Sequence, residues 1–172
     1  ITCGIPRKPG MTREELITVN SEIVSNVAKN LLKYSPNIIL IVVTNPVDIM
    51  TYLLHLELNI PKMRIIGMGG LLDTARFKYN IHKNIKITNQ RLNAFVIGSH
   101  SDRFMIPLIK HVTIDNEYLV NMIDNHKINK IINDTKNGGA IITEKQGYSA
   151  GYAPAAAITY LVESIVNDSK NI

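Results

Sequence analysis

Ile38-Ile39-Leu40-Ile41-Val42-Val43 is an unbroken aliphatic run, rich in β-branched residues and too short for a helical repeat. It predicts a parallel strand buried on both faces. The run stops at Thr44-Asn45-Pro46, so these residues should stand at the carboxyl edge of a sheet. Helical patterns flank it. Between Glu14 and Tyr34, Ile23, Val27 and Leu31 recur every fourth position, which predicts a helix with one buried stripe, ended by Ser35-Pro36. Val47, Met50, Leu54 and Leu58 predict a second helix, closed by Pro61. Arg64-Ile65-Ile66 then forms a short strand running into Gly67-Met68-Gly69-Gly70. Ile1-Thr2-Cys3-Gly4 has the pattern of a buried strand already under way, so further chain is expected before it. Strands alternating with helices imply an α/β layer with right-handed crossovers.

The later chain changes character. A helix opens at Leu71-Leu72-Asp73-Thr74-Ala75-Arg76-Phe77, and Ala94-Phe95-Val96-Ile97 is a candidate strand. Residues 104–114 are rich in β-formers, and Asp115-Asn116 can turn the chain back towards Tyr118-Leu119-Val120. From about Lys127 to Lys145 a long helix is predicted, with Ile128, Ile131, Ile132, Thr135 and Ile142 on or near one stripe. Gly138-Gly139 interrupts that pattern. Interior glycines cost about 1 kcal/mol each relative to alanine, which a close approach by a neighbour could offset. Gly147-Tyr148-Ser149-Ala150 breaks the helix before Pro154 and a last alanine-rich helix to about Val166.

Composition narrows the function classes. The 172 residues, 45% hydrophobic, suffice for one domain or parts of two. No run approaches the roughly 20 apolar residues that span a bilayer, and the first residues lack the order of a signal peptide. Cys3, the single cysteine, cannot form an intrachain disulfide and fits a reducing compartment; a soluble, cytoplasmic protein is expected. The net charge is +5, but the lysines are scattered singly without aromatic interleaving. Neither nucleic acid nor membrane is expected as a partner. Nothing calls for a metal.

Several stretches could carry chemistry. In Gly98-Ser99-His100-Ser101-Asp102 a strand ends in glycine and presents an imidazole at the rim of a sheet, suited to proton transfer or merely solvated. The loop Gly4-Ile5-Pro6-Arg7-Lys8-Pro9-Gly10-Met11-Thr12-Arg13 is kept irregular by its prolines and glycines and ends in the capping box Thr12-Arg13-Glu14-Glu15. It is either a solvated basic loop or a lid that brings Arg7 and Arg13 onto an anionic substrate. Asn45 either makes a turn or offers its amide at a sheet edge. Asp73 and Arg76 share a helical face. They form a surface ion pair, or Asp73 backs His100 and fixes its tautomer while Arg76 takes a carboxylate. No G-x-G-x-x-G is present in the 172 residues.

In order and spacing, the four stretches 4–13, 44–48, 67–77 and 98–102 resemble the malate dehydrogenases of the lactate/malate dehydrogenase family, nearest its bacterial, lactate-dehydrogenase-like branch. The resemblance spans nearly the whole chain. It implies an α/β fold: the second half of a Rossmann-type parallel sheet domain, residues 1–70, followed by most of an α+β catalytic domain, residues 71–172. The implied reaction is NAD-dependent interconversion of malate and oxaloacetate. His100 would accept the proton with Asp73 as its partner. Arg13 would polarise the carbonyl, and Arg76 would hold the neighbouring carboxylate. Arg7 would grip the second carboxylate, where lactate dehydrogenases typically have glutamine. Asn45 and Ser149 would contact substrate, Ser149 having a helix cap as its alternative. Asn20, Thr44 and Asn45 would contact NAD. A homodimer or homotetramer is implied, as is a chain that is the middle of a longer enzyme, without its phosphate loop and last strands and helix. Ser99 and Ser101 stand where the family usually has glycine, and Arg103 and Phe104 where it has small residues. A serine forced to positive φ would strain the loop and shift His100. The alternatives are a non-catalytic piece that binds a partner, or an enzyme for another 2-hydroxy acid such as lactate.

Overall fold

The computed structural model describes residues 1–6, 10–87 and 91–170, apart from the side chain of Arg13. The chain forms two compact units, Ile1–Gly69 and Gly70–Ile172.

In the first unit, helix α1 (Arg13–Tyr34) starts at a reciprocal capping box. Thr12 Oγ1 accepts from the Glu15 amide at 3.1 Å and Glu15 Oε2 accepts from the Thr12 amide at 2.8 Å. Strand β1 (Leu40–Val42) follows, then α2 (Val47–Glu57) and β2 (Ile65–Gly67), which pairs parallel to β1 with Leu40 opposite Ile65 and Val42 opposite Gly67. On the other edge of β1 lies the start of the chain: Ile1 donates to the Ile41 carbonyl at 2.6 Å, and the Val43 amide donates to the Ile1 carbonyl at 2.9 Å. Both helices pack on one face of this pair, around Val24, Ala28, Leu40, Val42, Met50 and Leu54.

Two expectations are corrected here. The aliphatic run is buried on one face only, Leu40 and Val42 being sequestered while Ile39 is 42% exposed, because α1 and α2 both sit on the same side. The buried stripe of α1 is Leu16, Asn20, Val24 and Ala28, one position away from Ile23, Val27 and Leu31. Asn20 can join that stripe because its amide is fully engaged, as described below. Lys29 and Glu57 bridge α1 to α2 at 2.8 Å, and the hydrogen bond from Lys29 holds the Glu57 carboxyl below its ordinary range.

The second unit opens with α3 (Gly70–Ile85). Strand β3 (Leu92–Asn93), β6 (Thr113–Ile114) and β7 (Glu117–Tyr118) form one antiparallel sheet. Strands β4 (Val96–Gly98) and β5 (Met105–Pro107) form a hairpin. Asp115 and Asn116, with φ of 49° and 74°, make the turn from β6 to β7, as two successive left-handed residues do in a tight hairpin. Beyond the turn, Leu119 does not extend the strand. It opens a short helix, α4 (Leu119–Met122), which drives its side chain into the core. Helix α5 (Asn125–Gln146) is capped by Asp124, which accepts from the Lys127 amide, and ends at Gly147 in the left-handed conformation. It runs through Gly138 and Gly139 without the expected interruption. Helix α6 (Tyr152–Val166) follows. Phe77, Ile81, Val96, Met105, Val112 and Ile131 are central to the core.

Candidate active site

Asp73 lies in the first turn of α3, where the helix dipole favours a carboxylate. It is 2% exposed. Its Oδ2 accepts from His100 Nδ1 at 2.7 Å. Its Oδ1 is buried without a hydrogen-bond partner among the described residues and stands 3.6 Å from Arg76 Nη1. The structure thus brings His100, Asp73 and Arg76 together, with His100 and Arg76 each 18% exposed at the side chain.

Local sequence explains why His100 arrives there. Gly98 has φ of 88°, and a Cβ on it would sit 2.3 Å from the Phe104 carbonyl oxygen, so only glycine can close the hairpin at this point. The Ser101 carbonyl then accepts from the Met105 amide at 2.9 Å, closing the loop that carries the imidazole. Neither Ser99 nor Ser101 takes positive φ, so the serines do not strain the loop. Thr74, next to Asp73, accepts from the Val96 amide at 3.1 Å and ties α3 to β4. Sequence reasoning missed Thr74; its position between Asp73 and Arg76 was the available signal.

Arg76 also borders an apolar cleft of about 870 Å³ between α3 and α6, lined by Leu72, Phe95, Ala157, Tyr160 and Leu161 among others. His100 and Asp73 are not among the lining residues. Ser149 lies exposed in the segment between α5 and α6 and is not among the residues lining this cleft. Its alternative reading as a cap is removed, because α6 is capped at Gly151 with no side-chain bond.

The first unit holds a second group. Asn20 is 1% exposed. Its Oδ1 accepts from the Ile5 amide at 2.8 Å, and its Nδ2 donates to the Ile5 carbonyl at 3.2 Å and to the Asn45 carbonyl at 2.8 Å. Thr44, 6% exposed, donates to the Cys3 carbonyl at 2.6 Å. Both side chains are therefore turned onto the chain's own backbone. Asn45 is exposed at the carboxyl edge of β1, its Oδ1 3.4 Å from the Val47 amide. Arg13 opens α1, its side chain lying outside the description, and Arg7 lies outside the described residues. No group of His, Cys, Asp and Glu among the described residues is placed to hold a metal ion, and no helix among them is long and apolar enough to cross a membrane.

Comparison with known proteins places the fold. Residues 1–67 match the lactate/malate dehydrogenase NAD binding domain, and residues 71–172 match the lactate/malate dehydrogenase alpha/beta C-terminal domain. The chain belongs to the lactate/malate dehydrogenase family. Within that family it is 51% identical over all 172 residues to a malate dehydrogenase of Bacteroides thetaiotaomicron, covering 55% of that protein. A malate dehydrogenase structure from Picrophilus torridus superposes with a TM-score of 0.92 at 40% identity, over 99% of this chain and 53% of that one. A lactate dehydrogenase from a Medee basin deep-sea metagenome library gives the same TM-score at 27% identity, over 99% of this chain and 56% of that one. The chain thus spans about half the length of its lactate/malate dehydrogenase relatives.

Proposed function

We propose that this chain carries substrate-handling residues of a malate dehydrogenase, an oxidoreductase that interconverts malate and oxaloacetate. The observation that carries the reading is the His100–Asp73 pair at 2.7 Å with Arg76 on the same helical face. With Nδ1 bound to Asp73, His100 exchanges protons with substrate through Nε2. In malate oxidation it takes the proton of the 2-hydroxyl while C2 gives up its hydrogen with both electrons. The Asp73 carboxylate fixes the tautomer and offsets the positive charge on the ring. Arg76 forks onto the carboxylate beside the reacting carbon, and Arg7 onto the distal one, since an unpaired carboxylate is costly to desolvate. Arg13 polarises the carbonyl in the reverse direction. Asn45 and Ser149 contact substrate.

NAD, when bound, supplies the acceptor for the hydride. The exposed Asn45 carboxamide at the carboxyl edge of a parallel strand fits the nicotinamide end of such a cofactor, the edge where open α/β sheets bind ligands. Asn20 and Thr44 would serve that end through the backbone they hold. A cytoplasmic homodimer or homotetramer belongs to the same reading. The test is NADH absorbance on adding oxaloacetate, with pyruvate in parallel and an Arg7→Gln variant beside it. Turnover of oxaloacetate that collapses in the variant is expected. Preference for pyruvate would assign a different 2-hydroxy acid, and no turnover from the folded chain would leave a non-catalytic piece.

A further inference from the structure

We infer that Gly138 and Gly139 are positioning residues: they form a seat in α5 on which the Arg76 guanidinium rests. The inference deepens the proposed function, because it takes Arg76 as the group that holds a substrate carboxylate.

Two adjacent glycines inside a helix are unfavourable, by about 1 kcal/mol each relative to alanine. Neither takes positive φ, so the helix itself does not require them. What they lack is a side chain, and Arg76 lies just beyond the position a Cβ would take, where a larger side chain would have to go. A Cβ at Gly138 would lie 3.5 Å from Arg76 Cδ and 3.8 Å from Nε. One at Gly139 would lie 3.4 Å from Nη1, 3.5 Å from Nη2 and 3.7 Å from Cζ. The whole planar end of the arginine therefore lies along this stretch of α5. The same Nη1 is 3.6 Å from the Asp73 carboxylate.

The register of the two helices is set one turn away. Asn80 Nδ2 donates to Thr135 Oγ1 at 3.3 Å, and Thr135 Oγ1 donates to the Ile131 carbonyl at 2.7 Å, both residues being buried. Stepping back one turn from Asn80 reaches Arg76, and stepping forward one turn from Thr135 reaches Gly139. Helices α3 and α5 run antiparallel at this contact, so the buried polar pair aligns the arginine with the gap. A guanidinium in contact with both a carboxylate and a bare helix surface has fewer arrangements to lose when it forks onto a ligand, which favours binding.

A single Cβ at residue 139 would still be in ordinary van der Waals contact with Arg76. The branched methyls of valine reach about 1.5 Å further and take the arginine's place. The experiment is a double-mutant cycle on the full chain, combining G139A or G139V with R76A, which vacates the seat. The readouts are the KM and kcat for oxaloacetate and the thermal midpoint. With Arg76 present, G139V should raise KM at least about tenfold through loss of a charge-assisted contact, while G139A, whose Cβ stays in ordinary contact, should leave KM within about twofold. In the R76A background the G139V effect should shrink to less than about twofold, and its cost in thermal midpoint should shrink too. The helix-propensity cost of valine is the same in both backgrounds and cancels. Should G139V not fold, G139S carries the same comparison, since its single Oγ reaches past the Cβ towards Arg76 with one branch fewer than valine. Equal effects in both backgrounds overturn the seat, whatever the turnover. Coupling in the thermal midpoint without any turnover of oxaloacetate upholds the seat and overturns the malate reading.

Discussion

Replacing Asp73 by asparagine exchanges one atom and removes one charge at the centre of the site. The carboxylate is 2% exposed, with one oxygen 2.7 Å from His100 Nδ1 and the other 3.6 Å from Arg76 Nη1. At an effective dielectric constant of about 20, unit charges at the Arg76 separation attract by roughly 5 kcal/mol. Desolvation of a buried ion opposes this by several kcal/mol. Asparagine recovers that desolvation but leaves Arg76, 18% exposed at its side chain, without its counter-charge, so Asp73→Asn should lower the unfolding free energy by about 1–4 kcal/mol. The rate should behave differently. An asparagine facing Nδ1 either accepts weakly through its carbonyl or donates and forces the opposite tautomer, and in neither case balances the charge on a protonated ring. The expected loss in kcat/KM is about a thousandfold to ten-thousandfold. Urea unfolding followed by circular dichroism gives the first quantity, and NADH absorbance with oxaloacetate gives the second. A variant within tenfold of the parent rate, or one destabilised by more than about 4 kcal/mol, would refute the reasoning.

Other perturbations follow from the same geometry. Gly98→Ala puts a methyl against the Phe104 carbonyl at positive φ and should cost about 2–4 kcal/mol, with loss of the His100–Asp73 contact seen in the imidazole NMR signals. Thr135→Val strands the buried Asn80 amide and should cost about 1–3 kcal/mol in urea unfolding, with Asn80→Leu added to it costing less than the sum of the two. The hydrogen bond from the Lys127 amide lowers the Asp124 pKa, so its stabilising contribution is present above the ordinary aspartate range and is lost as pH falls through the folded value. Asp124→Asn, which caps without titrating, should flatten that part of the thermal midpoint against pH.

Much of the fold follows from local pattern. The capping box at Thr12, the stop at Pro36, the turn at Asp115-Asn116 and the termination at Gly147 each rest on neighbouring residues, and local reasoning reaches them. The α1 stripe was displaced by one position because it includes a polar residue whose hydrogen bonds go to segments 15 and 25 residues away. Leu119 left the strand register because burial in the core outweighs β-propensity at a sheet edge. At the site, the helical spacing of Asp73 and Arg76 was legible, whereas the meeting of Asp73 with His100 depends on the hairpin closed at Gly98 and on Thr74, contacts between distant parts of the chain. The glycine pair in α5 was visible as an anomaly, but only the packing of α3 identifies its occupant.

Asn20 has a consequence for how the first unit tolerates change. Its amide nitrogen serves two carbonyls, those of Ile5 and Asn45, and its oxygen serves the Ile5 amide. Aspartate has the same outline but an oxygen where that nitrogen stands. It would turn two attractions into two oxygen-against-oxygen contacts in a place sealed from water. The mildest exchange by shape is therefore among the harshest by polarity, and the three chain segments meeting at this amide can vary freely only while the nitrogen stays.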